Sequence, residues 1–363
     1  MPSPRRADRI GPPFLSLTSA REPALRAVTY SFNFTLPVTT WCLNRCGYCS
    51  FRSDAPALLA PGECARRARA ASAQGVIEAL VMTGEGIDRH AGLRRQLKEW
   101  GFGSYAAYCA EVCRMCLAEG MLPHTNIGTL EAWELELLKP YNVSLGMMAE
   151  TVSPEATRGV AHRHAPTKAP ELRLATVEAA GRLGIAFTTG ILIGIGEKPE
   201  ERIETLEAIA ALHKRYGHIQ EVILQPLNPQ PGTAMARWMK PPDEEVAALI
   251  PHVQRLMPGV HIQVPPNLVD DLPALLRAGA DDLGGIAPEA DHINPNRPWP
   301  ELEALDRRLR PEGMHLKLRM PVYDEFIAAG WCPAPTLPAL EKMLERRDQA
   351  DGLLAPAAAG GSS

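Results

Sequence analysis

The sequence has no apolar run long enough to cross a membrane and no excess of charge of one sign. A membrane-spanning helix needs about 18 consecutive apolar residues, and the amino-terminal MPSPRRADRIGPPF lacks the apolar core of a signal peptide. Lys and Arg number 38 against 42 Asp and Glu, a net charge of -4 over 363 residues. Because this balance favours neither nucleic acid nor an anionic membrane as a partner, we expect a cytoplasmic protein.

Disulfide bonds are not expected either, although the chain has eight cysteines. Thiols stay reduced in the cytoplasm, which leaves metal binding, redox chemistry and packing as their roles. Two triplets share the spacing C-x3-C-x2-C: Cys42, Cys46 and Cys49 in WCLNRCGYCSF, and Cys109, Cys113 and Cys116 in CAEVCRMC. The prediction of function depends on which of them binds a metal.

The organisation along the chain predicts one large domain. We expect a flexible leader over residues 1–27, a domain over 28–345 and a disordered tail over 346–363, whose end is of low complexity. Within the domain, short apolar runs alternate with segments whose apolar residues recur every three or four positions, as in amphipathic helices. The apolar runs predict strands at 28–40, 78–84, 121–128, 142–150, 186–196, 219–227, 261–267 and 281–287.

Strand–helix alternation predicts parallel strands joined by right-handed crossovers. Eight such units favour an α/β fold, a complete (βα)8 or partial TIM-type barrel, and the alternative is an open doubly wound sheet. Active sites of such barrels lie at the carboxyl ends of the strands. Polar residues stand at or just after the ends of seven predicted strands: Cys42, Glu85, Asn126, Glu150, Glu197, Asn228 and Asn267.

The two cysteine triplets differ in their surroundings. Cys109, Cys113 and Cys116 recur at i, i+4 and i+7 in a helical pattern, where Cys packs as a small apolar residue; an auxiliary cluster is the alternative. The first triplet follows a strand and contains Asn44 and Gly47, which favour turns. Such a loop can wrap three thiolates around an iron–sulfur cluster. A zinc site would need a fourth ligand, and none follows at short range.

The first triplet, with Tyr48 before its last cysteine, resembles the signature of the radical S-adenosylmethionine (SAM) superfamily. The resemblance implies a [4Fe–4S] cluster ligated by Cys42, Cys46 and Cys49, with one iron open to bind SAM. One-electron reduction then cleaves SAM to a 5′-deoxyadenosyl radical, which takes hydrogen from the substrate. In such enzymes the cofactor supplies the difficult chemistry, and the barrel supplies position and excludes water.

The resemblance also implies a set of SAM-binding residues. MTGEG matches the stretch that binds the SAM amino group, although Thr83 replaces its first glycine. Glu150 matches a carboxylate that ends the fourth strand, and Arg173 matches a helix arginine that pairs with the SAM carboxylate. Singly, Arg173 is equally explained as a surface charge. The whole set, with a fifth-strand glycine of GILIGIGE, is Tyr48, Thr83, Gly84, Glu85, Glu150, Arg173 and Gly194.

A finer resemblance is to the 7,8-didemethyl-8-hydroxy-5-deazariboflavin synthase family, in particular its ring-closing subunit. It is carried by CGYCSFR, LPHTNIG, AHRHAPTKAPELRL and, most specifically, DDLGGIAPEADHINPNRPWP. It implies a carbon–nitrogen lyase that converts the adduct 5-amino-5-(4-hydroxybenzyl)-6-(D-ribitylimino)uracil into the deazaflavin with loss of ammonia. The implied partners are a sister radical SAM enzyme that makes the adduct and an electron-donating flavodoxin or ferredoxin.

The candidates for contact with the substrate are polar residues of the matching motifs, and the last of these motifs is expected over the barrel mouth. We expect catalytic roles for Asp282, Asp291 and Asn294, and substrate binding by Asn126, His218, Gln220, Glu221 and Asn267; the alternative for each is a structural role. The sequence departs from the family pattern at Thr83, Pro226 and Leu283. Alternative functions are therefore a tyrosine-cleaving sister enzyme, a menaquinone-branch radical SAM enzyme, or a non-enzymatic metal-binding protein.

Overall fold

The computed structural model describes residues 25–354, with side chains over 25–348. It contains nine strands within this range, all parallel to their neighbours. They are β1 (Arg26–Pro37), β2 (Glu78–Met82), β3 (Leu122–Asn126), β4 (Ser144–Gly146), β5 (Phe187–Ile193), β6 (Ile219–Pro226), β7 (His261–Gln263), β8 (Asp282–Ile286) and β9 (Met314–Leu318).

The first eight strands close into a barrel. They follow one another in chain order, and β1 pairs with both β2 and β8. In the closing register, Thr35 of β1 lies opposite Leu80 of β2, and Ser31 of β1 lies opposite Gly285 of β8. The predicted TIM-type barrel is therefore confirmed, and the open doubly wound sheet is excluded.

Helices surround the barrel and bury their apolar faces against it. They are α1 (Pro61–Ser72), α2 (Ala91–Glu99), α3 (Tyr105–Ala118), α4 (Ala132–Leu138), α5 (Pro154–Arg158), α6 (Pro170–Arg182), α7 (Pro199–Tyr216), α8 (Asp243–Ala247), α9 (Ile250–Leu256), α10 (Leu272–Ala278), α11 (Leu302–Leu309), α12 (Asp324–Ala328) and α13 (Leu337–Leu354). Helix α7 shows why the segments begin and end where they do. Pro199 occupies its first turn, where no backbone donor is needed, and Gly217 ends it with a φ of 65°.

The boundaries of the domain differ from the prediction at both ends. β1 begins at Arg26, inside the expected leader, whose residues 1–24 lie outside the described range. Helix α13 continues to Leu354, so the expected disordered tail is helical up to that residue. Its sequence, EKMLERRDQA, is rich in strong helix formers, and this propensity outweighs the polar composition. The rest of the tail, 355–363, lies outside the described residues.

The ninth strand was not predicted, and it determines how the barrel is closed at the amino ends of the strands. β9 pairs with the first half of β1, from Arg26 to Tyr30. The chain then passes under the barrel, where the Pro321 carbonyl accepts hydrogen bonds from Gln220 Nε2 at 3.2 Å and Ser144 Oγ at 2.5 Å. Residues after β9 thus form the bottom of the barrel interior.

No helix within residues 25–354 combines the length and the apolar character that a membrane span requires.

Candidate active site

The first cysteine triplet lies in the loop that leaves the carboxyl end of β1. All three thiols are partly exposed, whereas Cys109, Cys113 and Cys116 of α3 are buried. The loop lies against the MTGEG turn that follows β2: the Glu85 N–H donates to Cys42 Sγ at 3.1 Å, and the Leu43 N–H donates to the Glu85 carbonyl at 2.9 Å. A backbone N–H directed at a thiol sulfur is what an iron–sulfur ligand requires.

Two glycines allow the chain to approach the cysteine loop this closely. A Cβ at Gly84 would overlap the Trp41 carbonyl oxygen, and a Cβ at Gly47 would overlap the Val160 carbonyl oxygen. On the Gly47 side, its N–H donates to the Ala161 carbonyl at 2.8 Å, and its own carbonyl accepts from the Met235 N–H at 2.9 Å. The cysteine loop is therefore positioned by segments that follow β2, β4 and β6.

The electrostatics of the thiols are set by burial. Burial raises the pKa of Cys46 to about 12 and also raises the pKa of Cys42. Such thiols lose their protons when they bind a cationic metal centre. Within the described range, no three His, Cys, Asp or Glu side chains are gathered as the ligands of a single ion would be. A [4Fe–4S] cluster instead takes each thiolate on a separate iron, which a loop of three spaced cysteines suits.

Beside the cysteine loop lies a buried group of four charges, which we call the charge cluster: Glu85, Glu150, Lys168 and Arg173. Lys168 Nζ lies 2.6 Å from Glu150 Oε1 and 3.2 Å from Glu85 Oε1. Arg173 Nη1 lies 3.2 Å from Glu85 Oε1, and its Nη2 lies 3.6 Å from Glu150 Oε1. The Arg173 side chain is 2% exposed, so the surface-charge alternative is wrong.

The charge cluster keeps both carboxylates ionised in spite of their burial. Burial by itself would raise the pKa of Glu85, but the charges of Lys168 and Arg173 outweigh it and lower the pKa to about 2. The pKa of Glu150 is also lowered, because the same two cations outweigh its burial. These side chains can therefore offer fixed carboxylates to an ammonium and a guanidinium to a carboxylate, the two groups of an amino acid.

Tyr48, Thr83 and Gly194, also predicted for SAM, make local contacts. Tyr48 hydrogen-bonds to His162 Nε2 at 3.0 Å, and the Thr83 hydroxyl donates to the Gly84 carbonyl at 2.6 Å. Gly194 has a φ of 90° at the end of β5, and its N–H donates to Glu197 Oε1 at 2.7 Å. Glu197, which the sequence placed at a strand end, thus orders the fifth-strand turn.

The barrel interior contains a cavity of about 190 Å³ that extends from the mouth to the residues after β9. Of the residues predicted for substrate or catalysis, those that line it are Asn126, Glu221, Asn267, Asp291 and Asn294. At the mouth, Asp291 accepts hydrogen bonds from the Asn294 N–H at 3.0 Å and from Asn267 Nδ2 at 2.9 Å. These three side chains therefore form one network over the cavity.

Three predicted residues lie elsewhere. Asp282 begins β8 at the amino end of the barrel and binds Arg319 at 2.5 Å, so its expected position over the mouth is wrong. Gln220 Oε1 accepts from the Tyr323 N–H at 3.3 Å below the cavity. His218 Nε2 lies 2.9 Å from the Val177 carbonyl. None of the three lines the cavity, because each side chain is engaged outside it by the contacts just given.

Two cationic residues of the barrel interior escaped the sequence-based prediction. Lys168 lies within the quoted motif AHRHAPTKAPELRL, so the resemblance offered a signal for it. Arg319 follows a strand that was itself not predicted, and no motif marked it. Burial raises the pKa of Glu221 although Arg319 Nη2 lies 2.9 Å away. At Asp282 the charge of Arg319 outweighs burial and lowers the pKa.

Comparison with known proteins agrees with this geometry. The Radical SAM superfamily matches residues 36–209. Proteins named 7,8-didemethyl-8-hydroxy-5-deazariboflavin synthase are 42% identical in Methanothermobacter thermautotrophicus, covering 88% of this chain and 98% of that protein, and 42% identical in Archaeoglobus fulgidus, covering 92% and 100%. The relative of that name in Methanosarcina barkeri is 44% identical over 84% of this chain and 93% of its own. The chain belongs to the 7,8-didemethyl-8-hydroxy-5-deazariboflavin synthase family.

Solved structures place this deazaflavin synthase family member in a wider fold. The FeFe-hydrogenase maturase HydG from Carboxydothermus hydrogenoformans matches with a TM-score of 0.65 at 20% identity, covering 90% of this chain and 77% of that one. Methylornithine synthase (PylB) matches with a TM-score of 0.60 at 19% identity, covering 80% and 83%. At these identities the likeness shows the barrel fold alone.

Membership of this deazaflavin synthase family makes the chain a radical SAM enzyme, and the superfamily implies a [4Fe–4S] cluster and SAM. The residues present fit both groups. The partly exposed cysteines, with the Glu85 N–H on Cys42, suit the cluster, and the charge cluster suits the amino and carboxylate groups of SAM. When bound, the two cofactors together supply the radical that takes hydrogen from a small-molecule substrate.

Proposed function

We propose that the protein closes the deazaflavin ring: it converts 5-amino-5-(4-hydroxybenzyl)-6-(D-ribitylimino)uracil into 7,8-didemethyl-8-hydroxy-5-deazariboflavin. One hydrogen atom leaves the adduct to the SAM-derived radical, a ring bond forms, and a carbon–nitrogen bond breaks with loss of ammonia. One further electron and one proton must also leave, and the oxidised iron–sulfur cluster would accept the electron while solvent accepts the proton. The observation that carries the proposal is the identity of about 42% to proteins of that name along nearly their whole length. A cavity with polar lining residues, which Met148 connects to Arg173 of the charge cluster, supports it, because the substrate carries hydroxyl, N–H and carbonyl groups.

In this proposal the chain binds its two cofactors at the carboxyl ends of the strands. Cys42, Cys46 and Cys49 ligate the cluster. SAM is held by residues of the charge cluster and by their neighbours: Tyr48, Thr83, Gly84, Glu85, Glu150, Arg173 and Gly194. Lys168 joins this set as a positioning residue, because its ammonium group contacts the carboxylates of Glu85 and Glu150.

The substrate residues divide into two layers. Asn126, Asn267, Asp291 and Asn294 meet the reacting part of the adduct near the mouth, where Asp291 and Asn294 are the proposed catalytic residues. Glu221 lines the lower cavity. Gln220, Asp282 and His218 act through their neighbours: Asp282 and Gln220 hold the segment after β9, and His218 anchors β6 to α6.

The proposed electron donor is an acidic flavodoxin or ferredoxin that docks beside the cysteine loop. Arg158, Arg163 and Arg237 are exposed and form no ion pair with any described residue. Their segments are hydrogen-bonded to the cysteine loop through the Arg45 N–H to His164 at 2.8 Å and the Met235 N–H to Gly47 at 2.9 Å. Unpaired cations on an otherwise acidic protein suit an acidic partner, and charge reversal there should slow reduction by the carrier but not by dithionite.

The adduct reaches the cavity, in this proposal, from a sister radical SAM enzyme that joins a hydroxybenzyl carbon to the ribityluracil.

The proposed function is tested by supplying reconstituted protein with adduct, SAM and dithionite without air. Formation of deazaflavin absorbance and fluorescence, with release of ammonia, is expected, and Cys49→Ala should abolish both. SAM cleavage without deazaflavin formation would instead favour a different substrate. The departures from the family pattern at Thr83, Pro226 and Leu283 would then be the first positions to account for the difference.

A further inference from the structure

The lower part of the barrel cavity is lined by polar side chains from β1, β2, β3 and β6 and from the segment after β9. We call this region the polar floor and define it as Asn33, Glu78, His124, Glu221 and Arg319. Asn33 lies opposite Glu78 in the β1–β2 register, and Glu78 is the first residue of β2. Barrels of this kind usually fill their interior with branched apolar side chains. A polar and open interior therefore needs an explanation other than stability.

The polar floor has unused hydrogen-bonding capacity. Asn33 is 4% exposed, and its Oδ1 has no hydrogen-bond partner within the described part of the chain. Asn267 Oδ1, higher in the same cavity, is equally unpaired and 8% exposed. A buried acceptor left without a partner costs about 1–3 kcal/mol. Because both oxygens belong to residues that line the cavity, a ligand with donor groups would remove this cost.

Glycines on the neighbouring strands make room for these side chains. A Cβ at Gly285 of β8 would overlap Asn33 Nδ2, and a Cβ at Gly146 of β4 would overlap the imidazole of His124. His124 Nδ1 is fixed at 2.7 Å from Ser144 Oγ, which leaves Nε2 on the side toward the cavity residue Gly146. The floor is thus a built surface, with side chains in fixed positions.

The charge state of the floor excludes an anionic ligand. The Arg319 guanidinium is engaged by Asp282 at 2.5 and 2.9 Å, by Glu221 at 2.9 Å and by the Met320 carbonyl at 3.0 Å. Burial lowers the pKa of His124 to about 3, so its imidazole is neutral, and burial raises the pKa of Glu78. No free cation remains for a phosphate or carboxylate, whereas several acceptors remain for hydroxyl groups.

The upper cavity differs from the floor in chemistry. Its wall contains Met147, Met148, Leu268, Ile293 and Trp299 among the polar groups of the mouth. Met148 is also next to the charge cluster, because its carbonyl accepts from Arg173 Nε at 2.5 Å. An aromatic group fits this apolar upper wall, and a chain of hydroxyl groups fits the floor below it.

We infer that the polar floor is a subsite for a neutral polyol chain, with Asn33 and Glu78 accepting hydrogen bonds from its hydroxyl groups. In the proposed function that chain is the ribityl group of the adduct, so the identity of the ligand rests on that proposal. The substrate then enters with its polyol first and leaves its aromatic end at the mouth, beside the charge cluster. Discrimination should be large, because a ligand without the hydroxyls leaves buried acceptors unpaired.

The test is a comparison of two ligands by calorimetry on the reconstituted, SAM-bound protein. The ligands are 5-amino-6-(D-ribitylamino)uracil and its analogue with N-methyl in place of the ribityl chain. Wild type should prefer the ribityl compound at least about 10-fold. Asn33→Leu and Glu78→Met should reduce that preference about 10-fold by weakening the ribityl ligand alone. Glu78→Gln keeps the side-chain shape if the apolar variants do not fold, and it should also reduce the preference.

A matched control is Asn142→Ala, which removes a buried amide that lies outside the cavity and bonds to Thr125 and Leu138. It should lose stability but keep the ligand preference. Equal affinity of wild type for both ligands, or equal weakening of both in the floor variants, would overturn the subsite. A ligand preference that depends on the floor, without deazaflavin formation, would contradict the proposed function and leave the subsite standing. Deazaflavin formation without such a preference would support the proposed function and overturn the subsite.

Discussion

Lys168 Nζ lies 2.6 Å from Glu150 Oε1, and this ion pair connects the segment after β4 to the segment before α6. Glu150 has a φ of 69°, the one positive value of a non-glycine residue among those described. Its backbone is held in place by β5, since its N–H donates to the Gly190 carbonyl at 3.1 Å and its carbonyl accepts from the Leu192 N–H at 3.0 Å. Strain of this kind is retained where a side chain must be aimed at one point.

Removal of Lys168 should destabilise the protein strongly. Lys168→Met leaves the buried Glu85 and Glu150 with Arg173 as their remaining cation, and breaking a buried ion pair costs about 3–5 kcal/mol. Anaerobic urea unfolding measures the loss. Lys168→Met combined with Glu150→Gln should recover part of it, because the unpaired charge is then gone. Additive losses in the double variant would show that the pair is not coupled.

Glu150→Gln and Arg173→Ala should weaken SAM binding more than they disturb the iron–sulfur cluster. One charge-assisted hydrogen bond is worth about 1.5–3 kcal/mol, or about 10- to 150-fold in affinity. Calorimetric titration with SAM measures the affinity, and iron analysis of the same sample controls for the cluster. If both variants bind SAM as wild type does, these residues are not part of its site.

Gly128→Ala should damage the SAM site, whereas Gly120→Ala should cost stability alone. Both glycines have positive φ, 90° and 83°, so alanine is strained at either. Only at Gly128 would the added Cβ collide, with the Glu85 side chain; at Gly120 nothing lies within 4 Å. We expect similar losses of melting temperature from backbone strain but at least about a 10-fold loss of SAM affinity in Gly128→Ala only. Equal SAM affinity in the two variants would contradict the importance of the Glu85 position.

The two cysteine triplets should respond differently to alanine. Cys113 is buried and hydrogen-bonds to Thr125 at 3.1 Å, so replacing Cys109, Cys113 and Cys116 together should lower stability through lost packing. Iron content should stay near four per chain. Alanine at Cys42 should abolish SAM cleavage instead. A wild-type value near eight irons that halves in the triple variant would establish an auxiliary cluster on α3.

Stability should fall as the pH rises from about 6.5 to about 10, in part through His261. Burial would lower the pKa of His261, but hydrogen bonds with Asp281 and Glu325 outweigh it and raise the pKa to about 10. An unfolded histidine titrates near 6.5, so the imidazolium stabilises the fold fully below that pH and loses its effect on deprotonation. Thermal melting of wild type and His261→Gln across this range checks the claim. The variant should show the smaller decline, and parallel curves would assign the decline to other groups.

The sequence by itself determined the eight parallel strands and the place of the cysteine loop, while closure of the barrel was decided by the pairing of β1 with both β2 and β8. Eight apolar runs with helical segments between them admit few other topologies, and each run became a strand. Cys42 follows the first of them, so the rule that parallel strands end at one rim placed it at the mouth. The same rule, applied to positions within a strand, would have excluded Asp282, the first residue of β8, from the mouth.

Only the tertiary structure decided which charges meet and what closes the barrel below. Lys168 and Glu85 are far apart in sequence yet lie 3.2 Å apart, and no local pattern encodes such a pair. β9 is partly exposed, so its apolar pattern is weak, and it becomes a strand because the first half of β1 offers it a free edge. The position of Arg319 inside the barrel also depends on the tertiary structure. A buried cation is stable only where the fold brings carboxylates to it, and here these are Glu221 and Asp282.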